Sequence, residues 1–402
     1  MRILRANTQS RPKVVEEHLT RLNLLNQSYE QIAAHVEDLE LGYGSGLKRS
    51  LIKLGWECID IYHDVELVQT VWAEETGQKF DSEYWWRDIF FAQIRHFRPD
   101  VVFLQGTEFP GGARYWLAEK DSLDPVPLLI GHYGHTQDVS PLDHAFLGFP
   151  CLVNSARNSG KSASLLYHAF DAEVIKKLDK KPVKSYPLTF VGTSGVKINS
   201  HYDRYSFLQT LGQLNPISFW LDDFDSLFGL TQGEQNSSEA VTGLLDRFHR
   251  VARDPIRIAH KLLLSIKRFL PQHELTLLPR EMCRKGVYGL DLHRVVQQSL
   301  MTLQYHSTAM KGEVGALRLF HAPGVGTCLV TDHGSNLEDL FEVDYEIVSY
   351  RNVHEASEKI SFLLENPEKA LQIAIAGQKR VLRDHTHHHR ALQIIEVLKS
   401  LA

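Results

Sequence analysis

The densest run of chemistry-bearing residues lies between Lys311 and Glu338. Glycines at 312 and 315 predict the start of a helix over 312–322, with Val314, Leu317 and Phe320 on one buried face. Gly324 and Gly326 supply the tight turn that ends it. A helix opening from a glycine-bearing loop presents free N–H groups and the positive end of its dipole, a natural seat for a diphosphate. On such a helix Glu313 and His321 stand about 12 Å apart at a rise of roughly 1.5 Å per residue, which suits a sugar at one end and a ribose at the other. The next strand, 327–332, delivers Asp332 to a sheet edge, and Asn336 is placed to cap the short helix beginning at Leu337. Arg284, Lys285, Lys311 and Arg318 are the cations available to a diphosphate, with solvated surface charge as the alternative. His306 reads equally as a cleft ligand or as a satisfied core histidine.

In the first half, the loops 106–112 (GTEFPGG) and 131–138 (GHYGHTQD) follow strands and carry Glu108, His132, His135 and Asp138. Histidines and buried carboxylates reach pKa values near working pH, so these four are the candidates for activating a hydroxyl. Loop residues bonded to backbone are the alternative reading. Residues 157–162 (RNSGKS) end like a phosphate-binding loop, but Ser155 stands where that motif needs glycine. Asp223-Phe224-Asp225 reads as a surface turn, so no metal site is expected. The histidines at 385, 387, 388 and 389 read as a partly solvated helix end. The basic amphipathic stretch 257–270 reads as packed within its own domain, with peripheral contact to an anionic membrane as the alternative.

Short apolar runs alternate with helical stretches, the pattern that gives parallel α/β sheets. Helices are predicted over 13–40 and 45–55, a strand over 56–62, a helix face over 89–97, and strands over 101–106, 127–131 and 151–155. The charged stretch 173–185 reads as an exposed connection, after which a strand restarts the alternation at Tyr186. A polar interval at 231–240 is followed by helices over 241–270, 291–301 and 312–322. Strands are then predicted over 327–332 and 346–350, and helices over 353–364, 367–383 and 388–400. Ligands of open α/β sheets lie beyond the carboxyl ends of the strands, so the loops 106–112, 131–141 and 155–161 should line a cleft.

A chain of 402 residues suits two cores rather than one. Its 43% hydrophobic and 23% charged content is that of a globular protein. A formal charge of −5 gives no electrostatic reason to expect nucleic acid. Cys58, Cys151, Cys283 and Cys328 are scattered, without zinc or disulfide spacing, which suits a reducing cytosol. The opening residues lack a signal-peptide core, and no apolar run approaches the roughly 18–20 residues of a membrane span, so a soluble cytoplasmic protein is expected.

The second-half motifs resemble the C-terminal domain of group-1-type glycosyltransferases of the GT-B fold, and among them the spore-maturation-type branch. The likeness rests on Glu313, Arg318-Leu319-Phe320, Gly324-Val325-Gly326 and Leu329-Val330-Thr331-Asp332, then on 336–341 (NLEDLF), 346–350, 376–380 and His385-Thr386 with Arg390. Tyr288-Gly289-Leu290, Tyr305-His306 and Phe190-Val191-Gly192 add to it, while Gly42-Tyr43-Gly44, 71–75, 98–100 and 168–171 match more loosely. The resemblance implies an α/β fold of two Rossmann-like domains facing a central cleft. The first, 1–172, would bind an acceptor and the second, 186–384, a nucleotide sugar, with a C-terminal helix in 385–402 packing back on the first. It implies a hexosyltransferase-like enzyme that moves a sugar from a UDP-, GDP- or dTDP-sugar to a hydroxyl of a glycan, protein or small molecule, without a further cofactor. The donor set would be Gly192, Arg284, Lys285, His306, Glu313, Arg318, His321, Gly324, Gly326, Asp332, Asn336 and Glu338, with Glu313 on the sugar hydroxyls. Where the group usually has a second carboxylate, this chain has His321. A neutral imidazole offers a ribose diol one acceptor and one donor, so ribose recognition is expected to be altered or handed to Glu338. The alternatives are a GT-B-fold sugar-nucleotide epimerase and a catalytically silent nucleotide-sugar-binding module.

Overall fold

The computed structural model of the protein describes residues 1–9, 11–24, 26–196, 202–228, 278–306 and 308–401. The segment Arg2–Asn7 forms strand β1, an element hidden in the sequence by its charge. Ile3, Leu4 and Ala6 are fully buried, and so is Arg5. Each guanidinium nitrogen of Arg5 is bonded: Nε to Asp60, Nη1 to Gln105 Oε1 at 2.7 Å, and Nη2 to Asp60 and to Gly44 O. A buried cation persists in a sheet only when it is compensated in this way.

Around β1 lie β2 (Glu57–Ile61), β3 (Val101–Gln105), β4 (Leu128–Tyr133), β5 (His144–Leu147) and β6 (Ala163–Leu165). Their order is β2-β1-β3-β4-β5-β6, with every pair parallel. The second sheet contains β7 (Tyr186–Gly192), β8 (Ser218–Leu221), β9 (Cys283–Lys285), β10 (Ser299–Gln304), β11 (Cys328–Asp332) and β12 (Val348–Tyr350). Its order is β12-β11-β10-β7-β8-β9, again parallel throughout. Numbered from β7, this is the 3-2-1-4-5-6 order of a dinucleotide-binding sheet. Strand order reverses between β1 and β3 in the first sheet and between β7 and β10 in the second, so a crevice opens at the carboxyl ends of each pair.

Several predicted elements change type. The run 13–40 is two helices, Pro12–Arg21 and Tyr29–Asp38, the second opened by a capping box between Ser28 and Gln31. The strand predicted at 151–155 is instead part of the helix Pro150–Asn158. Pro150 presets its first turn, and Val153 and Ala156, three apart, make its buried face. The loop expected at 155–161 is therefore mostly the last turns of this helix. The helix expected over 291–301 stops at Gln297, and Ser299–Gln304 is β10, held between β7 and β11. The helix expected over 312–322 begins only at Arg318, because Lys311 and Gly312 have φ of +53° and +80°, outside the helical region. The predicted polar interval 231–240, the helix 241–270 and the amphipathic stretch 257–270 lie outside the described residues.

The terminal helices form at Val353–Glu365, Pro367–Asp384 and His387–Leu401. The last one crosses to the first sheet, where Ala391, Ile394 and Leu398 pack with Ile3, Leu47, Leu51, Val101 and Phe103. Its entry is fixed by two backbone bonds, Phe170 N–H to His385 O and His387 N–H to Phe170 O. Among the described residues, no helix is long and apolar enough to cross a membrane.

Candidate functional site

The carboxyl ends of the two sheets face each other and touch. Cys151 N–H donates to Glu313 Oε2 at 2.8 Å, Arg11 pairs with Asp222 at 2.9 Å, and Asn336 Nδ2 donates to the Tyr167 hydroxyl at 3.0 Å. The switch point of the second sheet lies within this junction, flanked by Gly192 at the end of β7 and His306 just beyond β10.

Arg318 occupies this region. Its Nη2 donates to Val191 O near the end of β7 at 3.0 Å, while Nη1 is buried without a partner. Burial lowers its pKa to about 10, against the opposing pull of Asp222. A guanidinium deprived of water and only partly bonded is a strong attractor for an oxyanion. Beside it, the rings of His321 and His293 stand 5.0 Å apart, and Phe170 closes the group edge-on to both. His293 is 5% exposed and its Nδ1 is unpartnered. Burial lowers the pKa of His293 to about 4 and that of His321 well below its ordinary value, so both rings are neutral.

The loop 311–317 bridges Arg318 and His306. Asp332, at the end of β11, accepts from the backbone N–H of His306 at 3.0 Å and from its Nδ1 at 2.8 Å. That fixes the tautomer, leaving Nε2 to accept Ala316 N–H at 3.4 Å. His306 is thus both buried and at the cleft edge, joining its two predicted alternatives. Asn336 opens the helix Leu337–Leu340 but makes no side-chain cap. Its amide instead brackets Val314, accepting from Val314 N and donating to Val314 O at 2.8 Å each. Asn336 therefore shapes the loop rather than the helix predicted for it. Glu313, partly buried, lies against the N-terminus of the helix Pro150–Asn158, whose free N–H groups favour a carboxylate.

Other predicted donor residues sit elsewhere. Gly324 and Gly326 precede β11, so they lie at the opposite sheet edge from Asp332. A Cβ at Gly324 would run into the Phe170 ring, which makes this glycine a packing residue, and Gly326 has φ +78° beside Gln378. The Arg284 guanidinium lies over Trp220 and over Tyr186, the first residue of β7, away from the carboxyl edge. Lys285 pairs with Asp225 at 2.9 Å, both well exposed. Lys311 and Glu338 are exposed. The surface turn expected at Asp223-Phe224-Asp225 is instead the start of the helix Phe224–Phe228, and Asp223 just before it accepts from Ser194 N and its hydroxyl and so pins the turn after Gly192.

On the first-domain side, His132 donates from Nε2 to Leu166 O at 2.9 Å, and burial lowers its pKa to about 4. So weak a base, committed to a carbonyl, is not poised to deprotonate a hydroxyl near neutral pH. His135 is exposed with Gln137 as partner, and Glu108 is exposed. Exposed Asp138 accepts from Ser140 N at 2.8 Å, the backbone-bonding role offered as the alternative. Tyr43, in the glycine turn Gly42–Gly44, lies tilted against the rings of His132 and His168, so that turn does reach the junction. The helix end is partly solvated, as expected: His388 is exposed, while His385 and His387 are inside and His385 Nε2 donates to Leu340 O. His293, Arg11 and Asp222 were not singled out from sequence. His293 is the one with a signal, a polar residue on the inward face of an amphipathic helix beside Val296.

Two domains with parallel sheets, joined across their carboxyl edges and tied by a returning terminal helix, make the GT-B architecture. Residues 257–396 match the family model described as glycosyl transferase-like. The fold is similar to that of Alr3699/HepE from Anabaena solved with UDP-glucose, at 12% identity over the whole of both chains and a TM-score of 0.54. The same protein solved with UDP and glucose gives 13% identity over both whole chains and a TM-score of 0.54. A glycosyltransferase from Rickettsia africae ESF-5 gives 10% identity, covering 99% of this chain and 98% of its own, with a TM-score of 0.50. No curated protein matches the sequence. The fold is that of GT-B glycosyltransferases, and the family match over 257–396 supports a glycosyltransferase.

Proposed function

We propose that this GT-B glycosyltransferase binds a UDP-, GDP- or dTDP-sugar at the β7/β10 switch point and transfers the sugar to an acceptor hydroxyl held by the first domain. The observation that carries the proposal is Arg318, whose buried Nη1 lacks a partner beside the end of β7. A diphosphate seated there would complete its hydrogen bonds and have its developing charge stabilised as the leaving group departs. The turn after Gly192, pinned by Asp223, and the loop set by Asp332, His306 and Asn336 would form the remaining walls. Glu313 would exchange the Cys151 amide for sugar hydroxyls when the donor enters. His135 and Glu108 remain the acceptor-side candidates, and Glu338 a candidate for the ribose. The division at 1–172, 186–384 and 385–402, the spore-maturation-type branch, a cytoplasmic location and independence of a further cofactor belong to the same reading.

The test is release or transfer of labelled sugar from a panel of the three donor classes. At least one should be consumed, and Arg318→Gln should lower kcat/KM by roughly a hundredfold, the scale of losing one preorganised charge contact. Consumption of none, or an unaffected variant, would overturn the assignment. Epimerised free sugar with no transfer would instead favour an epimerase.

A further inference from the structure

Arg318, His293 and His321 come from two different helices, Gly289–Gln297 and Arg318–Gly324, and form one cluster at the junction. Two of their nitrogens, Arg318 Nη1 and His293 Nδ1, are buried without a partner. The second ring, that of His321, keeps some solvent exposure. The charged groups facing this cluster are already engaged. Asp222 is paired with Arg11, and Asp171, which faces His293, is paired with Arg49. His387 and His168 also face His321, and both are held neutral by burial. Among the described residues, the unmatched charge is the positive one of Arg318, and neither of these carboxylates is free to answer it. A buried cation flanked by two neutral imidazoles, each able to become a donor, is the donor set of an oxyanion site.

We propose that Arg318, His293 and His321 form a single oxyanion site for the donor diphosphate, and that the two histidines take up a proton from solvent as the anion enters. This rests on the donor-site reading above and deepens it. In the free protein, burial and the Arg318 charge keep both imidazoles neutral. A diphosphate diester brings two negative charges beside them, which favours the imidazolium and raises its pKa. Because the histidines bind more protons in the complex than in the free protein, affinity must rise as pH falls through the working range. The imidazole at 321 then supports the diphosphate rather than the ribose.

The experiment uses the full chain with UDP-glucose, GDP-mannose and dTDP-glucose, diesters whose own charge does not change between pH 6 and 8. Calorimetric titration at pH 7 in two buffers of different ionisation enthalpy should show uptake of up to about one proton. The Kd should weaken up to about tenfold for each unit rise in pH. His293→Gln and His321→Gln keep a hydrogen-bonding side chain but cannot hold the proton. Each should diminish the uptake and flatten the pH profile, and together they should abolish both. Histidine C2 proton shifts in the unaltered protein supply an independent readout, with two resonances expected to move towards the imidazolium position on donor binding. Binding without proton uptake, with a flat pH profile and unmoved resonances, overturns this proposal while leaving the donor-site reading intact. If none of the three donors binds at millimolar concentration, both fail.

Discussion

Asp332 shows how much a single carboxylate holds at this site. It takes both the backbone N–H and the Nδ1–H of buried His306, and so sets which imidazole nitrogen meets Ala316. Removing it leaves two donors unsatisfied, both on a residue only 5% exposed. Asp332→Ala should cost about 2–3 kcal/mol in urea unfolding, the scale of hydrogen bonds to a charged group. A loss below about 0.5 kcal/mol would mean that the dyad holds nothing in place. At this scale the sequence disclosed residue types better than partners. Arg318 and His306 could be picked out by type alone, as a cation and a histidine near glycine turns. The bond from Cys151 to Glu313 spans 162 positions, and no local pattern carries it. Asn336 had the right type and place for a cap, but a buried backbone pair at Val314 competed for its amide and won.

Gly324 makes the corresponding case for elements. It lets the helix Arg318–Gly324 approach the Phe170 ring, so one missing Cβ sets how closely the second domain meets the connecting segment. Gly324→Ala should destabilise the protein by about 1–3 kcal/mol through overpacking. Phe170→Leu should recover part of that loss in the double variant. Strict additivity of the two changes in urea unfolding would contradict the contact. Strands with continuous apolar runs, β3, β4, β7 and β11, were readable, as were the three terminal helices. The hidden elements had physical reasons. β1 contains a cation whose counter-charge, Asp60, is 55 positions away. In 150–158 an apolar run conceals a three-residue helical spacing behind Pro150. Around 312, where glycines looked like a helix start, Lys311 and Gly312 adopt left-handed backbone instead.

Over the whole molecule, buried histidines give stability a definite pH slope. Burial lowers the pKa of His63, His132, His293, His385 and His387 to about 4. Between about pH 6.5 and pH 4 the unfolded chain binds protons that the folded chain refuses. Their contribution is present above the unfolded value and lost as pH falls. Asp64, raised to about 7 by burial, acts in the opposite sense, since its folded form holds a proton that the unfolded chain releases. Each fully titrating group contributes a slope of about 1.4 kcal/mol per pH unit, so five histidines outweigh one aspartate. Urea midpoints at pH 7, 5.5 and 4.5 should therefore fall steeply with acid, and a flat profile would contradict the burial of these rings.

The architecture was legible as two alternating α/β halves because period and turn residues repeat along the chain, whereas the returning helix was implied by the family resemblance alone. The closeness of the two carboxyl edges was not, since it depends on contacts made only in the folded state. The central claim is that the β7/β10 crevice around Arg318 receives a nucleotide sugar. Its most direct test is the melting temperature of the full chain with millimolar UDP-, GDP- and dTDP-sugars. A ligand at a hundred times its Kd stabilises the folded state by about 2.7 kcal/mol, well within reach of thermal melting. At least one donor should raise the melting temperature, and Arg318→Gln should abolish most of that rise. No rise with any donor, or an equal rise in the variant, would contradict it.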